Sequence, residues 1–238
     1  MLIISRTGRV LMLCLFIAMF AMAQTSKEAL AVIHNVESAM GGIQNYDNTP
    51  FLKWDFGKRT LYWNKWTGDV RIENPEEALV ILVNINTIEG KAFKNGNLVN
   101  NTNETKQLLQ KGKNWWINDS YWLVMPWKLR DPGVSVTIVK TEILENGNEA
   151  AVLQLTFNNV GVTPDNKYHV YVDKTDNLIK QWAFYKKFDD AEPKFILPWD
   201  NYQNVGLIKL SFNRSKFGPK NVEAGENFNQ KLFLDISY

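Results

Sequence analysis

A dense run of aromatic residues between Trp115 and Leu129 is the part of this chain best suited to holding another molecule. Its fifteen residues include four tryptophans, one tyrosine and one methionine, whereas aromatic residues make up 13% of the whole chain. Large aromatic side chains around a half-open cavity are a common way of binding an apolar ligand. The same residues would suit a buried packing seam between a helix and a sheet. Ligand wall and protein core both remain open as interpretations.

Few residues have the type and spacing that catalysis requires. His34 and His169 are far apart, and neither has a second histidine or a cysteine at metal-binding spacing. Asp189 and Asp190 form a carboxylate pair, but they lie in a polar stretch typical of a solvated loop. Neither a phosphate-binding glycine loop nor a hydrolase nucleophile elbow occurs in the sequence. We therefore expect no catalytic residue, no metal site and no cofactor, and we predict that the protein is not an enzyme.

Further aromatic side chains recur at alternate positions of predicted strands. Trp54 and Phe56 would share one face of a strand, as would Trp182 and Phe184. Burying one such ring is favourable by roughly 2–3 kcal/mol. The predicted ligand-binding residues are Trp54, Phe56, Trp63, Arg71, Trp115, Trp122, Met125, Trp127, Tyr168, Trp182 and Phe184.

Two helices are predicted to position these side chains. Thr25–Glu28 has the pattern of a capping box, and Gly41-Gly42 would end the helix that follows. A second helix is expected from about Glu104 to Trp116, with Pro126 ending any continuation. The apolar stripe of the first helix would consist of Leu30, Ile33, Val36 and Met40.

The rest of the chain predicts short antiparallel strands. Asn95-Gly96 and Asn146-Gly147 are hairpin turn signals, because both residue types tolerate a positive φ. About ten or eleven strands are expected, and a sheet of that size tends to curl or close. We predict an α+β fold in one domain, residues 24–238: a strongly curved antiparallel half-barrel with helices covering its concave face. The later predicted strands are Val134–Ile143, Ala151–Phe157, Tyr168–Val172, Leu178–Tyr185, Val205–Phe212 and Leu232–Ile236.

The N-terminus predicts export. Arg6 and Arg9 precede an uncharged apolar run from Val10 to Ala23, which is too short to span a bilayer comfortably. We expect cleavage after Ala23 and a periplasmic protein. Cys14 lies inside the apolar run after a bulky leucine, which argues against lipoprotein processing.

Removing this segment changes the charge and the cysteine count. The mature chain would have 25 basic and 25 acidic residues and no cysteine, so no disulfide could stabilise it. A neutral chain without a basic stripe argues against nucleic acid as a partner. It also weakens the case for docking on anionic headgroups, although peripheral contact with a membrane stays open. We expect a monomer.

Three stretches carry a family resemblance: Asn118–Leu129 with Asp131–Val134, Val160–Pro164 with Tyr168–Asp173, and Trp199–Tyr202 with Val205–Gly206. Through them the chain, from about Lys27 to Phe217, resembles the LolA/LolB-like superfamily of periplasmic lipoprotein carriers, or an exported bacterial group near it. The resemblance implies a half-open barrel lidded by helices, and a role in carrying or sensing lipid or acylated protein. Fold alone does not settle function.

Two departures from that superfamily stand out. Its carriers depend on an arginine inside the barrel, and the sequence does not decide between Arg59 and Arg71 as its counterpart. Its membrane-anchored member has a lipidated N-terminal cysteine, which this chain lacks. We expect a lipid or acyl group as ligand, with lipoproteins or envelope proteins as further partners. The alternative is a non-catalytic structural or interaction module whose cavity is filled by its own side chains.

Overall fold

The computed structural model describes residues 25–158, 160–161, 163–226 and 228–237. The predicted export segment and its cleavage site after Ala23 lie outside these residues. Within them, no helix is both long enough and apolar enough to cross a lipid bilayer.

The described residues form an α+β fold. The α-helices are α1 (Lys27–Ala39), α2 (Ile43–Asp47) and α3 (Thr102–Val124). Short 3₁₀ helices cover Pro75–Glu77, Met125–Lys128 and Gln230–Phe233. The first seven strands are β1 (Phe51–Phe56), β2 (Arg59–Asn64), β3 (Asp69–Asn74), β4 (Leu79–Asn84), β5 (Glu89–Lys94), β6 (Asn97–Leu98) and β7 (Val134–Ile143). The other seven are β8 (Glu149–Phe157), β9 (Lys167–Asp173), β10 (Ile179–Tyr185), β11 (Phe195–Pro198), β12 (Asp200–Val205), β13 (Ile208–Asn213) and β14 (Lys220–Gly225).

These strands pair antiparallel in three sheets, as the hairpin signals predict. The first sheet has the order β14-β1-β2-β3-β4-β5-β6 and the second has the order β11-β10-β9-β8-β7, while β12 and β13 form a separate hairpin. In each larger sheet the first and the last strand do not pair with each other, so neither sheet closes into a barrel. The prediction of ten or eleven strands in a single sheet is wrong, because the described chain divides fourteen strands among three sheets.

Helix α1 forms where it was predicted, but with a different cap. Ser26 Oγ accepts the N–H of Ala29 at 3.1 Å, so Ser26 caps the helix. The Thr25 hydroxyl instead accepts the N–H of Val136 on β7 at 3.1 Å. The predicted capping box is therefore wrong. The helix cap lies one residue later, at Ser26, and Thr25 hydrogen-bonds to the neighbouring strand instead.

The predicted apolar stripe of α1 is confirmed at three of its four positions and is wrong at Leu30. Leu30 is 39% exposed, whereas Ala29, Ile33, Val36 and Met40 are buried. The helix ends before Gly41, whose φ of 107° favours glycine and whose Cα packs closely against the backbone of Leu207.

Helix α3 extends well beyond the predicted end at Trp116. Asn101 caps its start by accepting the N–H of Glu104 at 3.0 Å, and Pro126 follows its end as predicted. The last turns bury Leu123 and Val124. The packing of this apolar end stabilises the helical turns after Trp116, which local helix propensity alone did not predict.

Gly112 sets how closely α3 approaches the first sheet. The residue is buried, and a Cβ added to it would lie 2.8 Å from Cγ2 of Ile81 on β4. Alanine is favoured over glycine in an exposed helix by about 1 kcal/mol, but no room exists for it here. We expect Gly112→Ala to lower the free energy of unfolding by about 1–3 kcal/mol through overpacking. Urea denaturation checks this, and an increase in stability would contradict the close packing.

The C-terminal region differs most from the prediction. The expected strand Leu232–Ile236 is wrong, because this region contains the 3₁₀ helix Gln230–Phe233 instead. Strand β14, which pairs with β1, was not predicted. Only Val222 and Ala224 of β14 pack against the core. Two apolar residues at alternate positions are too short a pattern to predict a strand.

One cluster of buried apolar residues joins the helices to both larger sheets. It includes Ile33 from α1, Ile81 and Trp54 from the first sheet, and Val170 and Trp182 from the second. Helix α3 lies against β3, β4 and β5, while α1 lies against β7. The side chains at the C-terminal end of α3 are thereby placed beside the second sheet.

Candidate ligand-binding site

A small cleft opens between the C-terminal half of α3 and the ends of β8 and β9. Its volume is about 90 Å³. That is roughly the space of three water molecules and is below the range of about 300–1,000 Å³ typical of ligand pockets. Its lining residues are Ile117, Asn118, Tyr121, Trp122, Phe157, Val160, Gly161, Thr163 and Tyr168.

The aromatic wall of the cleft continues into the core. The ring of Tyr168 stacks on Trp182, with centroids 5.3 Å apart and planes 6° from parallel. The Trp122 ring meets Trp182 edge-on at 4.9 Å and contacts Phe56 at 5.4 Å. Phe184 contacts Tyr168 at 5.3 Å. The structure thus brings together five predicted ligand-binding residues, of which Trp122 and Tyr168 line the cleft itself.

Other predicted ligand-binding residues belong to the core away from the cleft. Trp54 and Met125 are fully buried, and both are members of the main apolar cluster. Trp127 is 4% exposed and stacks on Tyr46 with centroids 4.7 Å apart. These side chains therefore pack within the protein core and do not line the cleft.

The tryptophans around the middle of α3 also lie outside the cleft. Trp63 is buried and meets Trp116 edge-on at 5.0 Å. Trp115 is half-buried between two cations, with the guanidinium of Arg59 at 4.8 Å and the ammonium of Lys111 at 4.5 Å from the ring centroid. Cation–π contacts of this kind stabilise the packing of α3 on the first sheet.

Arg71 lies on the face of the first sheet opposite to α3. Its strand neighbours Val70 and Ile72 face the core, so Arg71 faces the other way. Its Nε pairs with Glu73 at 2.6 Å, and its Nη1 donates to the carbonyl of Asp235 at 2.8 Å. Arg71 therefore holds the C-terminal segment and does not reach the cleft.

Arg59 instead faces α3, where it pairs with Asp119. The guanidinium donates twice to the carboxylate, from Nε at 2.7 Å and from Nη2 at 2.9 Å. Asp119 is fully buried, and this burial raises its pKa even though Arg59 and Asn118 donate hydrogen bonds to the carboxylate. The pair ties strand β2 to the C-terminal half of α3, next to the cleft-lining residue Asn118.

Tyr121 lines the cleft, and its hydroxyl is buried without a hydrogen-bond partner among the described residues. Its burial raises the pKa of the phenol, so the group stays a neutral donor and acceptor. An unsatisfied buried hydroxyl costs about 1–3 kcal/mol. A ligand with an acceptor oxygen or a hydroxyl could satisfy it.

The histidines and the acidic pair lie apart from this cleft. His34 is exposed on α1. His169 hydrogen-bonds to Tyr185 and Gln154, and its burial lowers its pKa to about 4. Asp190 accepts the N–H of Lys187 within a loop. In the described ranges, no group of three or more His, Cys, Asp or Glu side chains could hold a metal ion.

Sequence reasoning missed three residues of interest: Asp119, Tyr121 and the buried Arg214. Asp119 and Tyr121 lie in the aromatic run Trp115–Leu129, but their roles depend on which face of α3 meets each sheet. Arg214 follows a predicted strand and carries no local signal that it is buried.

Comparison with known proteins assigns no family to the chain. No protein-family model matches it, and no curated protein is significantly similar in sequence. Among solved structures, the chain is similar to a DUF1329 family protein from Desulfovibrio piger, with a TM-score of 0.42 and 11% sequence identity. The match covers 86% of this chain and 96% of that chain. At this score the similarity supports no statement about function.

Proposed function

We propose that this chain is an exported, non-enzymatic binding protein that takes an apolar, acyl-type ligand into the cleft between α3 and the second sheet. The observation that carries the proposal is a cleft walled by the aromatic side chains of Tyr121, Trp122, Phe157 and Tyr168, beside which the Tyr121 hydroxyl is buried without a hydrogen-bond partner in the described structure. All four rings are half-buried, so a ligand would remove further aromatic surface from water. The role that fits such a site is lipid or lipoprotein handling in the cell envelope, with the sheets acting as the half-barrel of a carrier.

A longer acyl chain needs more room than the present cleft has. The cleft volume of about 90 Å³ would take only a few carbon atoms of a chain. We expect the lining residues Val160, Gly161 and Thr163 to move away from α3 when ligand binds. The small volume is also the observation that favours the alternative, a structural module whose interior is filled by its own rings.

Filling the cleft tests the proposal. Ile117 is half-buried on the cleft wall, whereas Gln110 is exposed two turns earlier on the same helix. We expect Ile117→Trp to weaken the binding of a fluorescent fatty acid by at least about tenfold, equivalent to 1.4 kcal/mol. Titration of delipidated protein measures this.

Gln110→Trp is the matched control, because it adds the same indole to α3 outside the cleft. It should bind the fatty acid like the unmodified protein. If unmodified protein takes up no fatty acid at all, the structural module is the better account. Equal weakening by both variants would place the binding site elsewhere.

A further inference from the structure

Arg214 is a fully buried cation without an acidic partner. The other arginines among the described residues each pair with a carboxylate: Arg59 with Asp119, Arg71 with Glu73 and Arg130 with Glu37. Arg214 is 0% exposed, yet within the described part of the chain no carboxylate lies within salt-bridge distance of it. Burying a charge without a counter-charge costs several kcal/mol. Such a residue needs a reason beyond packing.

The contacts that Arg214 does make are all with neutral groups. Nη1 donates to Ser211 Oγ at 2.7 Å and to the carbonyl of Asn213 at 2.6 Å, while Nη2 donates to the carbonyl of Trp122 at 3.2 Å. The guanidinium carbon lies 3.1 Å from the centroid of the Trp199 ring. Burial lowers the pKa of Arg214 to about 9, and the charge of Asp200, which lies beyond salt-bridge distance, offsets only part of this effect.

Arg214 and two tryptophans next to it in the core carry buried N–H donors without an acceptor in the described structure: Arg214 Nε, Trp199 Nε1 and Trp182 Nε1. Of the two tryptophans, Trp199 contacts the guanidinium directly. The two indoles meet edge-on at 5.7 Å, so these side chains form one contiguous group. All three atoms can only donate. Their chemical complement is a set of acceptor oxygens, and next to a guanidinium the strongest acceptor is an anion.

This group of donors lies directly behind the cleft wall. Trp122 belongs to both, since its ring lines the cleft and contacts Trp182 while its carbonyl accepts from Arg214. On the other side, Lys216, Phe217 and Lys220 line a second cleft of about 140 Å³. Asp55 also lines this second cleft, so the two lysines leave it with a net positive charge of one. A positive charge of this kind attracts anions.

We propose that Arg214 and its neighbouring indole N–H groups bind the anionic headgroup of the ligand, a carboxylate or a phosphate, when Trp122 moves aside. This inference rests on the proposed function, because the apolar tail of the same molecule occupies the cleft between α3 and the second sheet. The ligand class is then an acidic, single-chain lipid. Arg214 supplies the counter-charge, and Trp122 separates headgroup from tail.

Binding of matched lipids to the delipidated chain tests this assignment. The probes are oleic acid, oleyl alcohol and oleoyl lysophosphatidic acid, which share one chain and differ in headgroup. Displacement of a neutral naphthylamine dye measures each affinity. We expect the two acids to bind at least about tenfold more tightly than the alcohol, as a charge-assisted bond implies. Whichever acid binds more tightly identifies the headgroup as carboxylate or phosphate.

Variants of Arg214 decide whether this residue causes the preference. Arg214→Met should abolish the preference for acids while alcohol binding persists, and Arg214→Lys should retain part of it. Arg130→Met is the matched control and should keep the full preference, since Arg130 pairs with Glu37 on α1. If circular dichroism shows that Arg214→Met does not fold, Trp199→Phe replaces it in the test. This variant removes the indole N–H donor and keeps an aromatic ring.

The outcomes separate the inference from the proposed function. Equal binding of acid and alcohol by the unmodified chain overturns the headgroup assignment and leaves the apolar cleft intact. A preference for acids that survives both Arg214→Met and Trp199→Phe also overturns it. Failure of all three lipids to bind contradicts the proposed function itself.

Discussion

Replacing Trp182 by alanine is expected to lower the free energy of unfolding by about 3–5 kcal/mol. The side chain is 2% exposed and lies where the cleft wall meets the core. Its ring contacts Trp122, Tyr168, Phe195 and Trp199 at centroid distances of 4.9–5.8 Å. Removing it leaves a cavity among rings that α3, β9, β11 and the residue before β12 hold in place, so little collapse can compensate.

Chemical denaturation followed by far-UV circular dichroism measures this loss. Trp66→Ala is the matched control, because Trp66 is 66% exposed in the turn between β2 and β3. We expect the control to change stability by less than about 1 kcal/mol. A similar cost for both substitutions would contradict the central position of Trp182.

Replacing Arg59 by methionine is expected to destabilise the protein by about 3 kcal/mol near neutral pH. The substitution leaves the Asp119 carboxylate, which is fully buried, without its cation. Removing one partner of a buried pair costs about 3–5 kcal/mol. The lower end applies here because the Arg59 side chain is 19% exposed and partly screened by water.

The pH dependence of this variant has a definite sign. Burial raises the pKa of Asp119 in the folded protein above its value in the unfolded chain. A raised carboxyl pKa means that the folded state holds the proton more tightly, so stability is lost as pH rises through that interval. Without Arg59 the pKa of Asp119 rises further. The deficit of Arg59→Met should therefore be larger at about pH 8 than at about pH 5.

A second substitution separates charge from packing. Asp119→Asn on the Arg59→Met background removes the buried charge and should recover a large part of the lost stability. Urea denaturation of the single and double variants at both pH values gives the comparison. A deficit in Arg59→Met that neither acid nor Asp119→Asn reduces would show that the aliphatic packing of Arg59, rather than its charge, stabilises α3.

Local patterns in the sequence predicted the elements whose formation depends on local chemistry. Helix α1 ends at the predicted glycines, and β7 has the predicted bounds. The Asn95-Gly96 turn joins β5 to β6 with a positive φ at both residues. In each case the required backbone conformation is favoured by the residues themselves.

Elements that depend on distant contacts were missed or misplaced. Strand β14 forms because β1 offers it an edge, which no local pattern in Lys220–Gly225 reveals. In the segment predicted as a strand at Leu232–Ile236, backbone carbonyl oxygens instead accept hydrogen bonds from Arg71. The extra turns of α3 depend on contacts made by its buried end.

The sequence predicted several of the residues in the candidate site, but not how their side chains are arranged. The aromatic run supplied Trp122, and the strand alternation supplied Tyr168, Trp182 and Phe184, which the structure brings together. Alternation alone cannot tell which sheet face meets which helix, so Trp54 was grouped with the cleft although it lies in the core. For the same reason Arg71 was placed near a ligand and Arg214 was overlooked.

The most direct test of a bound apolar ligand is native mass spectrometry of the protein, purified without detergent and extracted with solvent in parallel. We expect a discrete added mass that is recovered in the solvent as a single-chain lipid and that is reduced in Ile117→Trp. A folded protein that shows only its own mass, and that gains none after incubation with acyl lipids, would contradict the account and leave the aromatic cluster as a self-filled core.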